Sequence, residues 1–399
     1  MTDSLLIGVA TADITPPVGA TMAGYKPRTS VALGHPLRAE ALACRSGDAG
    51  WILIASDTIG FSRDDVAVIR DKVNRASGVP AEAIMVSSTH THSGPVTLFG
   101  GDRATDTDRR YLDSLKETLA DLATEAWSAA EPGTFETAVT QAPDLGSNRR
   151  VQLDDGSWGN EWQDPDGKHP GYFDPTVALV GVRRPDGRLA ALVVGYGCHP
   201  VTLGPPSLDI SADYPGYMKD ALESRDVATV VAFINTGGGN INPRDAITVG
   251  AEHPKAMGDA LAAIVAAAID TLQPVGPDPV KYHREPWNIV RTREHAHRKD
   301  QPGFRVGDVI PTEVQSLRAG NLVFIGFPGE LFSEYQKPLR DTSPVSQTMP
   351  VALANDCVAY LVTDEALAQG GYEAGHAPCE GLEGQLMEHA RKAFLGVAD

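Results

Sequence analysis

Cysteine is scarce in this chain, and none of it is paired by spacing. Cys44, Cys198, Cys357 and Cys379 stand far apart, with no CxxC among them. That argues against a disulfide-framed scaffold and fits a reduced, cytoplasmic protein whose cysteines are small core or pocket residues. Basic residues are also outnumbered: 34 Lys and Arg face 52 Asp and Glu, a net charge of −18. With no basic stripe to offset that charge, the chain is repelled by nucleic acid and by anionic lipid surfaces. No apolar run reaches the roughly 18 residues of a membrane span. The opening MTDSLLIGVATADITPP has neither a basic n-region nor a long apolar h-region, so no secretory signal is read there.

What is present suffices for a large core: 399 residues, 42% of them hydrophobic. Short apolar runs predict strands at Leu5–Val9, Leu37–Cys44, Trp51–Ser56 and Ile84–Ser88. Helical spacing of Val66, Ile69 and Val73 predicts a helix over Arg63–Ala76, and a long amphipathic helix follows over Asp108–Ala130. Further strands are predicted at Thr134–Ala142, Val177–Arg183, Leu189–Gly197, Ala228–Asn235, Glu313–Leu317, Leu322–Phe327 and Met349–Ala354. Ala-rich Ala251–Leu272 and the segment Gly381–Phe394 read as helices, and 274–312 reads as polar and irregular. Strands alternating with helices imply a layered α/β fold: a mixed sheet core with flanking helices. No internal repeat and no low-complexity linker is visible, so one large catalytic domain over 1–399 with loop insertions is expected. The stretch 154–174, with Trp158, Trp162, His169 and Tyr172, is expected to be a surface loop at a pocket mouth.

The strongest local signal is Thr89-His90-Thr91-His92-Ser93-Gly94-Pro95, directly after an apolar strand. In extended chain, side chains two apart share a face, so both imidazoles are presented together, and imidazole is a good zinc ligand. His199 ends another apolar strand, where α/β folds build sites. Glu330 follows a third strand in the apolar Phe327-Pro328-Gly329-Glu330-Leu331-Phe332, a setting that demands a partner for the carboxylate. The turn from Asn235 to Arg244 is glycine-rich and would let backbone amides approach a ligand, though it is no P-loop. Asp57 and Asp213 are placed to orient a histidine ligand or, equally, to cap a turn.

In order along the chain, these blocks resemble the neutral/alkaline non-lysosomal ceramidases. The resemblance begins with Gly8–Pro17 and Met22-Ala23-Gly24-Tyr25 and includes the unbroken Thr89–Pro95 string. It continues through His199-Pro200, the turn at Gly239–Pro243 and Pro328-Gly329-Glu330, to Asn355–Thr363 and Gly371-Tyr372-Glu373. It implies a zinc amidase in which His90, His199, Glu330 and Tyr360 hold Zn2+. It places His92 beside the reacting groups, Arg149 on the substrate amide or head group, and Tyr372 near the scissile carbonyl. The family's serine in the glycine-rich turn is replaced by Asn242, which removes a serine nucleophile and leaves an amide able to donate to an oxyanion. No immunoglobulin-like domain is expected after the catalytic one. The reading is therefore hydrolysis of a small, soluble N-acyl amide rather than ceramide, through a metal-activated water. An ester or lactone hydrolase, an amide-forming or cyclising enzyme, and a non-catalytic metal-binding protein are the competing readings. The expected partner is the small-molecule substrate, with no stable membrane association, and a homo-oligomer stays open.

Overall fold

The structure is a computed structural model and describes residues 5–98, 104–298, 301 and 303–398. It is a mixed α/β fold in which one succession of elements occurs three times. The first unit is β1 (Leu6–Asp13), β2 (Arg38–Ser46), β3 (Ala49–Ser56), α1 (Arg63–Ser77), β4 (Ile84–Ser88) and α2 (Asp106–Ser128). The second is β5 (Thr134–Gln141), β6 (Thr176–Arg183), β7 (Leu189–Tyr196), α3 (Asp213–Glu223), β8 (Val230–Asn235) and α4 (Glu252–Ala268). The third is β9 (Val280–Val290), β10 (Val309–Ala319), β11 (Leu322–Gly326), α5 (Gln336–Thr342), β12 (Gln347–Val351) and α6 (Leu382–Leu395). In each unit the first three strands pair antiparallel, and the fourth returns over a helix to pair parallel with the third.

The expectation of no internal repeat is thus corrected at the level of topology. What recurs is the order and pairing of elements. The connections between first and second strands differ widely, spanning 14–37, 142–175 and 291–308, and they carry no shared motif.

Local chemistry explains the element ends. Ser62 caps α1 by accepting from the Asp65 N–H, and Gly78 closes it in the left-handed conformation. A capping box between Thr105 and Asp108 starts α2. The stretch 274–312, predicted irregular, contains the eleven-residue β9. Its Trp287 and Ile289 point inward while their neighbours are exposed. β9 is the edge of its sheet, where a proline such as Pro286 is tolerated. Likewise Ser211–Gly216, read as a turn, is the start of α3.

The three units meet in one core. Trp51 of β3 stacks on Phe135 of β5 and meets Phe324 of β11 edge-on, both at 5.9 Å between ring centroids. The ends of the fourth strands are tied together as well. The Asn235 side-chain amide donates to the Thr89 carbonyl (3.4 Å), the Ala352 N–H to the Asn235 carbonyl (2.8 Å), and the Asn355 N–H to Val86 (2.8 Å). This triangle of strand ends carries the candidate site. All four cysteines are buried with free thiols. Among the described residues no helix is long and apolar enough to cross a membrane.

Candidate metal centre

Each unit sends one side chain to the triangle: His90 after β4, His199 after β7 and Glu330 after β11. His90 adopts φ 75°, a left-handed conformation that is unfavourable for a residue with a Cβ. Two contacts hold it there: its N–H donates to Thr58 (2.9 Å), and its Nδ1 lies 2.6 Å from the Ile59 carbonyl. His199 is fixed in the same way, with Nδ1 2.5 Å from the Gly238 carbonyl. A carbonyl can only accept, so both imidazoles carry the proton on Nδ1 and leave Nε2 bare. Those two Nε2 atoms lie 3.4 Å and 3.1 Å from one oxygen, Oε2 of Glu330.

His92 completes a trio. The ligand atoms of His90, His92 and His199 all lie within 4.8 Å of one another. Both ring nitrogens of His92 are buried without a hydrogen-bond partner. Burial and the neighbouring imidazoles keep His92 well below its ordinary pKa, and burial with Arg149 lowers His199 to about 4. Three imidazoles with converging nitrogens beside a carboxylate are the donor set of a metal site. The cleft is lined by His90, His199, Asn235, Gly238, Gly239, Glu330, Ala352 and Leu353.

The remaining predicted residues form the wall next to this trio. The short strand Glu330–Leu331 pairs parallel with Tyr360–Leu361, which sets Tyr360 beside Glu330. Arg149 is the hub. Its Nε donates to Glu373 (2.8 Å), Nη1 to Asn242 (3.1 Å), and Nη2 to the Gly239 carbonyl (3.0 Å) and the Tyr360 hydroxyl (3.2 Å). Every guanidinium nitrogen is therefore engaged with the protein, which makes Arg149 a brace of the wall. Asn242 sits in an antiparallel pair opposite Ser147, and its Nδ2 donates to the Trp162 carbonyl (3.0 Å). Tyr372 stands at the surface, 44% exposed, with its ring against Trp162, Tyr360 and His376.

In the glycine-rich turn the Gly239 N–H donates to Leu331, and the Gly238 carbonyl accepts the His199 proton. Its glycines serve close packing, since a Cβ on Gly239 would lie 2.5 Å from the Glu330 carbonyl oxygen. Asp213 does not orient a histidine. It accepts from Leu203 N–H (3.0 Å) and from the Thr202 hydroxyl, shaping the loop after His199. Nor does Asp57, which takes Lys219 at 2.7 Å and the Arg38 N–H at 2.9 Å. In both cases a backbone carbonyl already occupies the histidine's Nδ1.

Two contributors were not singled out in the sequence. Glu373 binds Arg149, Arg150 (2.9 Å) and Asn160 (2.8 Å). Gly24, at φ 87°, lies so close to His92 that a Cβ would sit 2.4 Å from the ring, and Arg28 donates to the His92 carbonyl (2.5 Å). Only the Met-Ala-Gly-Tyr block of the family resemblance touched this second segment.

Fold and site together define a mixed α/β protein with a buried histidine–carboxylate centre able to take a metal ion. The chain has the fold of neutral ceramidase. It superposes on the neutral ceramidase of Pseudomonas aeruginosa with a TM-score of 0.75 at 16% identity, covering 99% of this chain and 75% of that one. A second solved structure, a ceramidase complexed with C2, gives a TM-score of 0.79 at 16% identity over 97% and 75%. No family model matches the chain, and no curated protein matches it.

Proposed function

We propose that the chain is a zinc-dependent amidohydrolase that cleaves the C–N bond of a small N-acyl substrate. The observation that carries this is the convergence of three imidazoles and Glu330, two of the imidazoles with bare Nε2 atoms fixed by backbone carbonyls. Zinc suits a nitrogen-rich set with one carboxylate. In this reading His90, His199, Glu330 and Tyr360 hold the ion, and Arg149 supports the Tyr360 oxygen with its hydrogen bond.

Bound there, zinc supplies Lewis acidity and lowers the pKa of water from about 15.7 to about 7. His92 differs from the other two imidazoles because neither of its nitrogens is committed. It takes the proton from the attacking water and returns it to the leaving nitrogen. Tyr372 faces the incoming acyl carbonyl from the rim. Asn242 donates to the oxyanion with the amide hydrogen that Trp162 leaves unused. The fold it shares with ceramidases supports an amide as the scissile bond.

The test is metal analysis with hydrolysis of an N-acyl amide panel, before and after chelation. Stoichiometric zinc, activity lost on chelation and activity restored by zinc are expected. Cleavage that ignores the chelator refutes the reading, and cleavage of esters alone moves it to an esterase.

A further inference from the structure

The outer face of the wall beside the metal centre is aromatic. Trp162 and Tyr372 meet edge to face at 5.8 Å between ring centroids, and they are 42% and 44% exposed. One exposed ring on a surface is ordinary. Two in contact, next to a buried donor set, make a continuous apolar patch. The patch runs inward, because the Tyr372 ring lies 5.8 Å from that of Tyr360, whose strand pairs with Glu330. On its other side Tyr372 rests on His376 (4.5 Å), which packs against His295 (5.0 Å) and His297 (5.3 Å).

The exposure of Trp162 does not come from a loose loop. Just before it, the strand Trp158–Asn160 pairs antiparallel with Arg150–Gln152. The Glu161 N–H then donates to the Arg149 carbonyl (2.9 Å), and the Trp162 carbonyl accepts from Asn242 (3.0 Å). The Gln163 side chain donates to the Ala246 carbonyl (2.6 Å), and the Asp164 N–H to the Arg244 carbonyl (3.0 Å). Four successive residues are thus tied to the wall, and the indole among them is held out at its surface. A ring presented on a fixed backbone gives up little freedom when a ligand packs on it.

What lies under the indole decides what it can bind. The Arg149 guanidinium carbon is 5.2 Å from the Trp162 ring centroid and 5.7 Å from that of Tyr360. Arg149 is only 3% exposed, and all three of its guanidinium nitrogens are bonded within the protein. Asn242 is buried as well. The resemblance to ceramidases implies an arginine on the substrate amide or head group. Here the cation is covered, and the surface offered in its place is an indole set against a phenol. Such a surface has no charge to match a polar head group. It fits a planar apolar ring, since aromatic pairs favour offset-stacked and edge-to-face contact.

We propose that Trp162 is a specificity-determining residue: its indole, with Tyr372 beside it, binds an aryl group carried next to the scissile amide. The chain thereby selects aryl-bearing N-acyl amides over saturated ones of the same size. Naming the ligand as substrate rests on the amidohydrolase reading; the aryl site itself does not.

The experiment is calorimetric binding to the zinc-loaded full-length chain. One pair of probes carries the ring on the amine side, N-hexanoylbenzylamine against N-hexanoylcyclohexylmethylamine. A second pair carries it on the acyl side, N-hexylphenylacetamide against N-hexylcyclohexylacetamide. In at least one pair the aryl probe is expected to bind about three- to tenfold more tightly, the scale of one aromatic contact beyond its buried area. The pair that shows it assigns the ring to the leaving amine or to the acyl group. Trp162→Leu keeps apolar bulk without a π face, and it is expected to bring each aryl probe down to the affinity of its saturated counterpart. Trp162→Phe is expected to keep most of the preference. A readout that does not depend on the leucine variant folding is tryptophan emission: the 4-nitro derivative of the benzylamine probe quenches on contact, and it should quench the parent more than Trp162→Phe. Equal affinity within both pairs overturns the proposal and leaves the indole as a cover for Arg149. So does a preference that survives Trp162→Leu, or quenching that is the same in the parent and Trp162→Phe, since the ring would then sit elsewhere. Cleavage registers separately, as heat that continues after each injection, so failure of the hydrolase reading appears as aryl-selective binding without turnover.

Discussion

The chain contains two His-x-His segments, His90-Thr91-His92 and His295-Ala296-His297, and each gathers a third histidine from elsewhere. Their surroundings separate them. The first lies on strand ends in the core, where carbonyls hold the Nδ1 protons of His90 and His199 and Glu330 faces both bare nitrogens. The second lies on a loop, partly exposed, with its rings against Phe304 and Tyr372. The same spacing therefore stands in two settings: one set converges its ring nitrogens in the core beside a carboxylate, the other packs on a partly exposed loop. Spacing brings imidazoles together, and the charge and carbonyls around them decide what they bind.

Removing a ligand from the first group tests this comparison hardest. His199→Ala is expected to lose stoichiometric zinc by elemental analysis. Its hydrolysis should fall by more than the roughly 10²–10³-fold cost of deleting one oxyanion donor. His295→Ala keeps full zinc. Equal metal loss in both variants would erase the distinction drawn between the two groups.

Rigidity is the next difference. Lys219 of α3 is wholly buried between Asp57 and Glu40 of the first unit, and it ties that unit to the second just behind the His90 loop. Lys219→Met strands two buried carboxylates, and a loss of about 3–5 kcal/mol is expected in denaturant unfolding. Truncating exposed His297 should leave the unfolding midpoint nearly unchanged. A Lys219→Met chain as stable as the parent would show that this ion cluster does not brace the centre.

Close packing comes third. Gly239→Ala drives a Cβ against the Glu330 backbone, and about 1–3 kcal/mol of overpacking is expected, together with weaker zinc affinity. Full zinc affinity in a destabilised variant would separate packing at the turn from the geometry of Glu330.

The smallest effect is on pH dependence. Burial raises the pKa of Glu373, but Arg149 and Arg150 outweigh it and hold the carboxyl below its ordinary 4.5. A depressed carboxylate contributes stability that is fully present above the unfolded value and is lost as pH falls through the folded one. Glu373→Gln should therefore cost stability at neutral pH and flatten the acid limb of the unfolding curve below about pH 4.5. An unchanged acid limb would mean that the wall holding Arg149 is not built on this carboxylate.

Much of this was legible in order along the chain. The strands that end at His90, His199 and Glu330 are short apolar runs, and such runs declare themselves without tertiary help. The helix at Arg63–Ser77 was readable from the spacing of Val66, Ile69 and Val73, while its caps at Ser62 and Gly78 came from the structure. β9 was not, because an edge strand alternates polar and apolar residues and tolerates Pro286, so it reads like a loop. The threefold recurrence was hidden because topology repeats while loop lengths and side chains do not. Arg149 shows the limit at the site. Its presence was visible, but its commitment to Glu373, Asn242, Gly239 and Tyr360 depends on segments more than 200 residues apart in part.

By itself, then, the sequence determined which residues had the chemistry for a metal: imidazoles and a carboxylate at the ends of apolar strands. It also determined that the chain is acidic and poor in cysteine. Only the tertiary structure decided which nitrogens are bare, because that depends on the carbonyls of Ile59 and Gly238 meeting rings distant from them along the chain. It alone separated the Asp57–Lys219 pair from the centre, and it alone placed a second histidine group beside Tyr372. Protonation and pairing are properties of neighbours in space, and the order of residues along the chain does not contain them.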